Sequence, residues 1–228
     1  MANPPPVICV DGPSGSGKGT LARAIAKKLD WNILDSGSLY RIVGLYAYSF
    51  DVSVEDDDAL KQVVESLDIE FANERSPNIV VNGRDVTQAI RGEEATRYAS
   101  LVAKREKVRA ALLVRQKGFR RPPGLVADGR DMGTVVFPDA KLKIYLDASP
   151  EERARRRYAE LKDKGLNVSL PDLFQSLKER DAQDKNRRVS PLKVAPDAFV
   201  LDSTGLSIAE VIAQALAAAK QKGLQITN

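Results

Sequence analysis

The chain has 228 residues, 43% of them hydrophobic and 29% charged, which fits one main domain with insertions and excludes a disordered chain or a coiled coil. It holds no histidine and a single cysteine, so imidazole bases, Ser-His nucleophiles, histidine-ligated zinc and an internal disulfide are all excluded. Thirty-five basic against 31 acidic residues leave +4, too small an excess to mark a nucleic-acid binder, although arginines concentrate late in the chain, where they suit a polyanionic ligand.

In chain order, Val7 to Val10 reads as a short buried strand with Cys9 as a small core side chain, and the turn after it opens into a helix over Lys18 to Leu29. Trp31 to Leu34 is expected to be a second strand and Ser38 to Phe50 a second helix, with Ser53-Val54-Glu55-Asp56 as the start of a third. From about 67 to 92 short alternating segments, Ile69 to Phe71 and Ile79 to Val81, are separated by Asn73 to Pro77 and followed by Asn82-Gly83, the pattern of a small antiparallel insertion. One helical stretch runs from Glu93 to Gln116 and breaks at Pro122-Pro123-Gly124. Buried strands at Leu125 to Ala127 and Leu142 to Leu146 each lead into an aspartate, Asp128 and Asp147. Ser149-Pro150-Glu151-Glu152 and Ser169-Leu170-Pro171-Asp172 are helix starts, and Ala198 to Leu201 with Ser207 to Lys220 make a last strand and helix. Apolar strands alternating with helices predict a parallel sheet covered on both faces. No secretory signal is visible, and no apolar run approaches the roughly 18 residues of a membrane span, so a cytoplasmic protein is expected.

Gly12-Pro13-Ser14-Gly15-Ser16-Gly17-Lys18 matches G-x-x-x-x-G-K between a buried strand and a helix. Such glycines let successive backbone N–H groups face one anion, the helix N-terminus adds partial positive charge, and Lys18 supplies a cation for the outer phosphates. Gly19 stands where the common motif has a hydroxyl ligand for magnesium, and Thr20 comes one residue later, so the metal's hydroxyl partner stays open. Arg180, Asp184 and Arg187 share one helical face, which alone suits an exposed ion-paired helix as well as a ligand site. Arg153 and Arg157 are one turn apart after a strong cap, while Arg155 and Arg156 read as a solvated face. Asp128 suits either magnesium held through water or an ordinary strand-end carboxylate.

The sequence from Gly12 through Thr20 resembles the phosphate loop of nucleoside monophosphate kinases. Leu34 to Arg41, Asp128 to Phe137 and Arg180 to Arg187 are similar to segments of bacterial cytidylate kinases, a likeness that runs from about Pro6 to the last helix. The resemblance implies an α/β P-loop kinase core with a five-stranded parallel sheet, a small antiparallel insertion and a short lid. The core would comprise 1–36, 117–148 and 190–228. The region binding the nucleoside monophosphate would span 37–116, and the lid with its following arginine-bearing helix 149–189. It further implies transfer of the ATP γ-phosphoryl group to CMP or dCMP with Mg2+, by a monomer with no nucleic-acid or membrane partner. Residues Gly12 to Thr20 with Arg153 and Arg157 would bind ATP. Arg41, Arg130 and Arg187 would hold the acceptor phosphate, Arg180 and Asp184 the ribose or base, and Ser100, Arg109 and Asp131 the cytosine, with Ser36 a further CMP-binding residue. Lys18, Arg130, Arg157 and Arg187 would stabilise the transferring phosphoryl group, with Thr20 and Asp128 as candidate magnesium partners through water. Asp131 has a competing role, orienting Arg130. No general base is identifiable. A uridylate or mixed pyrimidine kinase is the alternative among enzymes. A nucleotide-binding switch shares the phosphate loop but lacks an acceptor pocket. No N-K-x-D sequence supports a GTPase, and the basic segments lack the aromatic clusters of an RNA-binding protein.

Overall fold

The structure, a computed structural model, describes residues 4–71, 78–163 and 165–224. The apolar run Val7–Asp11 forms β1, followed by α1 (Lys18–Leu29), β2 (Asn32–Asp35), α2 (Ser36–Ser49) and α3 (Asp57–Ser66). Three short strands come next, β3 (Ile69–Phe71), β4 (Ile79–Val81) and β5 (Arg84–Asp85), then α4 (Glu93–Val102) and α5 (Glu106–Gly118). The chain finishes with β6 (Leu125–Gly129), β7 (Leu142–Asp147), α6 (Pro150–Asp163), α7 (Leu170–Asn186), β8 (Phe199–Asp202) and α8 (Ile208–Gln221).

The main sheet has five strands in the order β2-β6-β1-β7-β8, and every pairing is parallel. Alternation along β1 divides the core: Val7 and Cys9 join the cluster under α2, α3 and α5, whereas Ile8 and Val10 join the one under α1 and α8. Both faces of the central strands are therefore buried, which is why they read as continuous apolar runs instead of alternating ones. β3, β4 and β5 form a separate antiparallel sheet, with Asn82 and Gly83 at positive φ (50° and 74°) in the turn between the last two.

Several boundaries differ from the sequence expectation. Asp56, whose carboxylate accepts from Asp58 N and Ala59 N, caps α3 in place of Ser53. The stretch from Glu93 to Gln116 is two helices broken at Ala103–Arg105, where Arg105 leaves helical geometry and its guanidinium binds Asp57 and Glu55. No glycine or proline marks that break, so tertiary ion pairs override local propensity. The segment after β6 forms a π-helical turn over Met132–Val136, which no sequence feature had indicated. The expected loop at Asn73 to Pro77 lies outside the described residues.

Each strand of the main sheet carries an aspartate at its carboxyl end: Asp11, Asp35, Asp128, Asp147 and Asp202. Three of these cap the turn that follows their own strand, and Asp11 caps the turn after β6. Asp11 accepts from Met132 N and Gly133 N, Asp35 from Ser38 N, Asp147 from Ala148 N, and Asp202 from Thr204 N. The Asp128 side chain makes no hydrogen bond among the described residues. In open parallel sheets, ligands bind beyond this edge, where the strand order switches direction, and here that point is beside β1.

Candidate active site

The phosphate loop leaves β1 at Gly12 and enters α1 at Gly17, which caps the helix at φ 95°. Gly12 is fixed by close approach: a Cβ there would come within 2.0 Å of the Leu146 carbonyl oxygen. Lys18 is buried, and its Nζ donates to the Pro13 carbonyl at 2.6 Å, so the ammonium is held against its own loop. Burial, followed by the nearby Arg130 charge, pulls the Lys18 pKa below the usual lysine range. The Ser16 hydroxyl is buried without a hydrogen-bond partner among the described residues. Thr20 is exposed. A Cβ on Gly19 would lie 3.2 Å from Asp128 Oδ2, so the carboxylate abuts the helix start where the common motif has a hydroxyl.

Asp128 is pushed up from the ordinary carboxylate range by burial, an effect that Lys18 opposes. Its free oxygens at the phosphate loop fit a hard cation that keeps most of its waters and arrives with phosphates. No group of three or more acidic or cysteine side chains that could hold a metal occurs among the described residues.

Across this edge opens a pocket lined by Ser36 and Gly37 at the head of α2, Ser100 on α4, Arg109 on α5, Arg130 and Asp131 after β6, and Arg180, Asp184 and Arg187 from α7 and its C-cap. Eight of the nine residues expected from the sequence to bind CMP thus line one cavity. The ninth, Arg41, donates to Asp35 Oδ2 (3.3 Å) and Ser38 Oγ (2.9 Å), close enough to Arg180 for the two charges to repel. Tyr40, Lys104 and Gln183 also line the pocket and were missed. Gln183 follows Arg180 by three residues, so helical spacing alone would have found it.

Carboxylates already hold several of these arginines. Arg130 Nε donates to Asp184 Oδ2 at 2.7 Å, and Arg109 Nη2 donates to Asp131 Oδ2 at 2.5 Å beneath the Tyr40 ring. Asp131 is paired with Arg109, and no bond between Asp131 and Arg130 is formed. Burial would weaken the Arg130 charge, but Asp184 more than offsets this and raises its pKa. Arg180 has no such partner; burial and then the Arg130 charge lower it to about 10. Arg187 is likewise lowered, by burial and then by Arg109, and its Nε and Nη2 are buried without partners. With Lys104, five cationic side chains line the pocket (Lys104, Arg109, Arg130, Arg180, Arg187) against two carboxylates (Asp131, Asp184), an imbalance that favours a dianionic ligand.

The arginines of α6 are placed differently. Arg153 is buried, and its donors are engaged with Ala148 O, Ser14 O and Asp181 Oδ2, so in this conformation it braces the phosphate loop from outside. Arg157 is exposed and pairs with Glu160 on its own helix. Arg155 is solvated, as expected, but Arg156 is not. Its Nη1 donates to Ser203 Oγ and, at 3.4 Å, to Ser16 O, and its Nη2 donates to Ser203 O.

A glycine loop at the head of α1, facing an arginine-lined pocket across the carboxyl edge of a parallel sheet, defines a phosphotransferase of the P-loop class. A family model described as cytidylate kinase matches residues 8–221. A cytidylate kinase of Stutzerimonas stutzeri is 54% identical over 227 residues, covering 98% of this chain and 99% of that protein. The cytidylate kinases of Sodalis glossinidius (53% over 217 residues; 95% of this chain, 96% of that protein) and Aeromonas salmonicida (51% over 218 residues; 95% of each) are similarly close. The chain belongs to the cytidylate kinase family.

Proposed function

We propose that this chain transfers the γ-phosphoryl group of ATP to CMP or dCMP, giving CDP or dCDP and ADP, as a cytoplasmic monomer using the magnesium complex of ATP. The observation that carries the reading is one cavity with a surplus of arginines, two of which, Arg130 and Arg180, are close enough to Lys18 of the phosphate loop to repel it. An oxygen of the CMP phosphate attacks the γ-phosphorus, the new P–O bond forms, and the bond to the β,γ-bridging oxygen breaks with its electron pair leaving on ADP. A phosphate monoester is already a nucleophile at neutral pH, so no general base is required, and positioning with charge neutralisation lowers the barrier.

In this reading the backbone N–H groups of Ser14 to Gly17 receive the β-phosphate, and Lys18 exchanges the Pro13 carbonyl for a β- or γ-oxygen. Asp128 would hold magnesium through water, with the hydroxyl of the exposed Thr20 as the second candidate for that role. The chemistry such an ion would supply there is neutralisation of phosphate charge. Arg41, Arg130 and Arg187 take the acceptor phosphate, Arg180 and Asp184 the ribose, and Ser100, Arg109 and Asp131 the cytosine edge, whose amine donates and whose N3 and O2 accept. The core would be 1–36, 117–148 and 190–228, with 37–116 carrying the acceptor and α6 leading the lid. For Arg153 to reach ATP it must exchange Ser14 O or Asp181 for the nucleotide, and Arg157 must leave Glu160.

ADP release measured with each nucleoside monophosphate in turn tests the assignment. CMP and dCMP are expected to exceed UMP by at least about 100-fold in kcat/KM, the scale of mismatched buried polar pairs. Equal use of CMP and UMP would replace it with a mixed pyrimidine kinase, and ATP turnover indifferent to any acceptor would replace it with a switch ATPase.

A further inference from the structure

Gln116 belongs to α5 and is 2% exposed, a buried amide on a helix whose other buried side chains are Val108, Arg109 and Leu112. A buried amide without partners is costly, so its hydrogen bonds show what it is held for. Its Nε2 donates to Ser36 Oγ at 2.9 Å, joining residues 80 apart in sequence. Ser36 is itself 3% exposed, is the first residue of α2 and lines the arginine-rich pocket with Gly37. A hydroxyl carries one proton and two lone pairs. Because the amide N–H occupies a lone pair of Ser36 Oγ, the hydroxyl proton must point away from Gln116. Among the described residues the Ser36 hydroxyl donates no hydrogen bond.

We propose that Gln116 is a positioning residue for phosphoryl acceptance: by donating to Ser36 Oγ, it fixes the Ser36 hydroxyl as a donor aimed at the acceptor's phosphate. This rests on the reading of the pocket as the site of a nucleoside monophosphate. The hydroxyl then acts together with the backbone N–H groups and positive end of α2, adding a neutral donor to a set otherwise made of guanidinium groups. A neutral, prealigned donor holds the phosphate while withdrawing less of the electron density that its oxygen needs as nucleophile than a cation would. Gln116 itself touches no reacting atom.

A double-mutant cycle over Gln116→Met, Ser36→Ala and the pair tests the assignment, with KM and kcat measured separately for CMP and for ATP. Methionine keeps the length and packing of glutamine but cannot donate. In Gln116→Met the KM for CMP is expected to rise roughly 5- to 10-fold, the scale of one lost alignment hydrogen bond, with the KM for ATP within about twofold of the parent. In the Ser36→Ala background the same change is expected to move the CMP KM by less than about twofold. Gln116→Glu keeps the shape but reverses the bond, since a carboxylate accepts the hydroxyl proton and withdraws it from the phosphate; its CMP KM is expected to exceed that of Gln116→Met. Additive effects in the cycle, or a Gln116→Glu variant that binds CMP as well as Gln116→Met, overturn the proposal while leaving the substrate reading intact. If Gln116→Met does not fold, the Gln116→Glu comparison with the parent decides: an unchanged CMP KM overturns the proposal. A parent protein that turns over no CMP overturns both.

Discussion

In the proposed function the buried Arg109–Asp131 pair would tie recognition of the base to stability, and Asp131→Asn separates the two. Both side chains are 6% exposed, and Arg109 also stacks over Tyr40 and faces the partly unpartnered Arg187. Asparagine preserves shape and one acceptor oxygen but removes the charge, leaving two guanidinium groups together in a low-dielectric pocket. Breaking a buried pair from one side typically costs about 3 to 5 kcal/mol, and the retained amide oxygen places this case near about 3 kcal/mol. Urea unfolding followed by circular dichroism reads that loss. In the same variant the amide presents a donor where cytosine presents its amine, so the CMP preference over UMP is expected to fall from at least about 100-fold to below about 10-fold. A stability loss under about 1 kcal/mol refutes the uncompensated-charge argument. An unchanged CMP/UMP ratio refutes the contact with the base and leaves Asp131 only as the partner of Arg109.

Two further predictions concern the sheet edge. Lys18→Met is expected to lower turnover by about 10²-fold or more while unfolding at or above the parent's temperature, because it removes a costly buried amine; near-normal turnover would take Lys18 out of the mechanism. Burial raises Asp11 from 3.8 to about 7 despite the N–H groups of Gly133 and Met132, so the folded state binds more protons than the unfolded state between these values, and the Asp11 contribution to stability is lost as pH rises through about 7. Comparing urea unfolding of the parent and Asp11→Asn at pH 5 and pH 8 cancels the other groups; over these two to three pH units the parent is expected to lose ground on the variant by up to about 3 kcal/mol, and a gap that stays flat or reverses contradicts the burial argument.

What was legible in the sequence follows physical range. The strands, α1 and the start of α7 were visible because apolar runs, glycine spacing and a serine cap are local signals; Ser169 caps α7 as its hydroxyl chemistry demands. The break at Ala103–Arg105 was not visible, because the groups that fix it, Glu55 and Asp57, lie about fifty residues away. Most pocket residues came from family resemblance: nothing in the spacing of Ser100, Arg109 and Asp131 relates them until the chain folds. Arg156 was misread for the same reason, since its partners Ser16 and Ser203 come from opposite ends of the sequence. Gln116 gave no signal, because a glutamine on a charged helix reads as surface until its neighbours are known.

The pairing of arginines with carboxylates in and around this pocket argues for a particular division of labour. Arg109, Arg130 and Arg153 are held by Asp131, Asp184 and Asp181 at 2.5, 2.7 and 2.6 Å, which fixes three long side chains whose freedom would otherwise be lost only on binding. Full neutralisation would leave nothing to attract a phosphate. The Nε of Arg41, the Nε of Arg109, and the Nε and Nη2 of Arg187 are buried without partners among the described residues, and each such group costs free energy until an acceptor arrives. The paired donors set position and the unpaired ones supply attraction. Arg187, with two orphaned nitrogens and a lowered pKa, has the most to gain from an anion and is the strongest candidate for the acceptor phosphate.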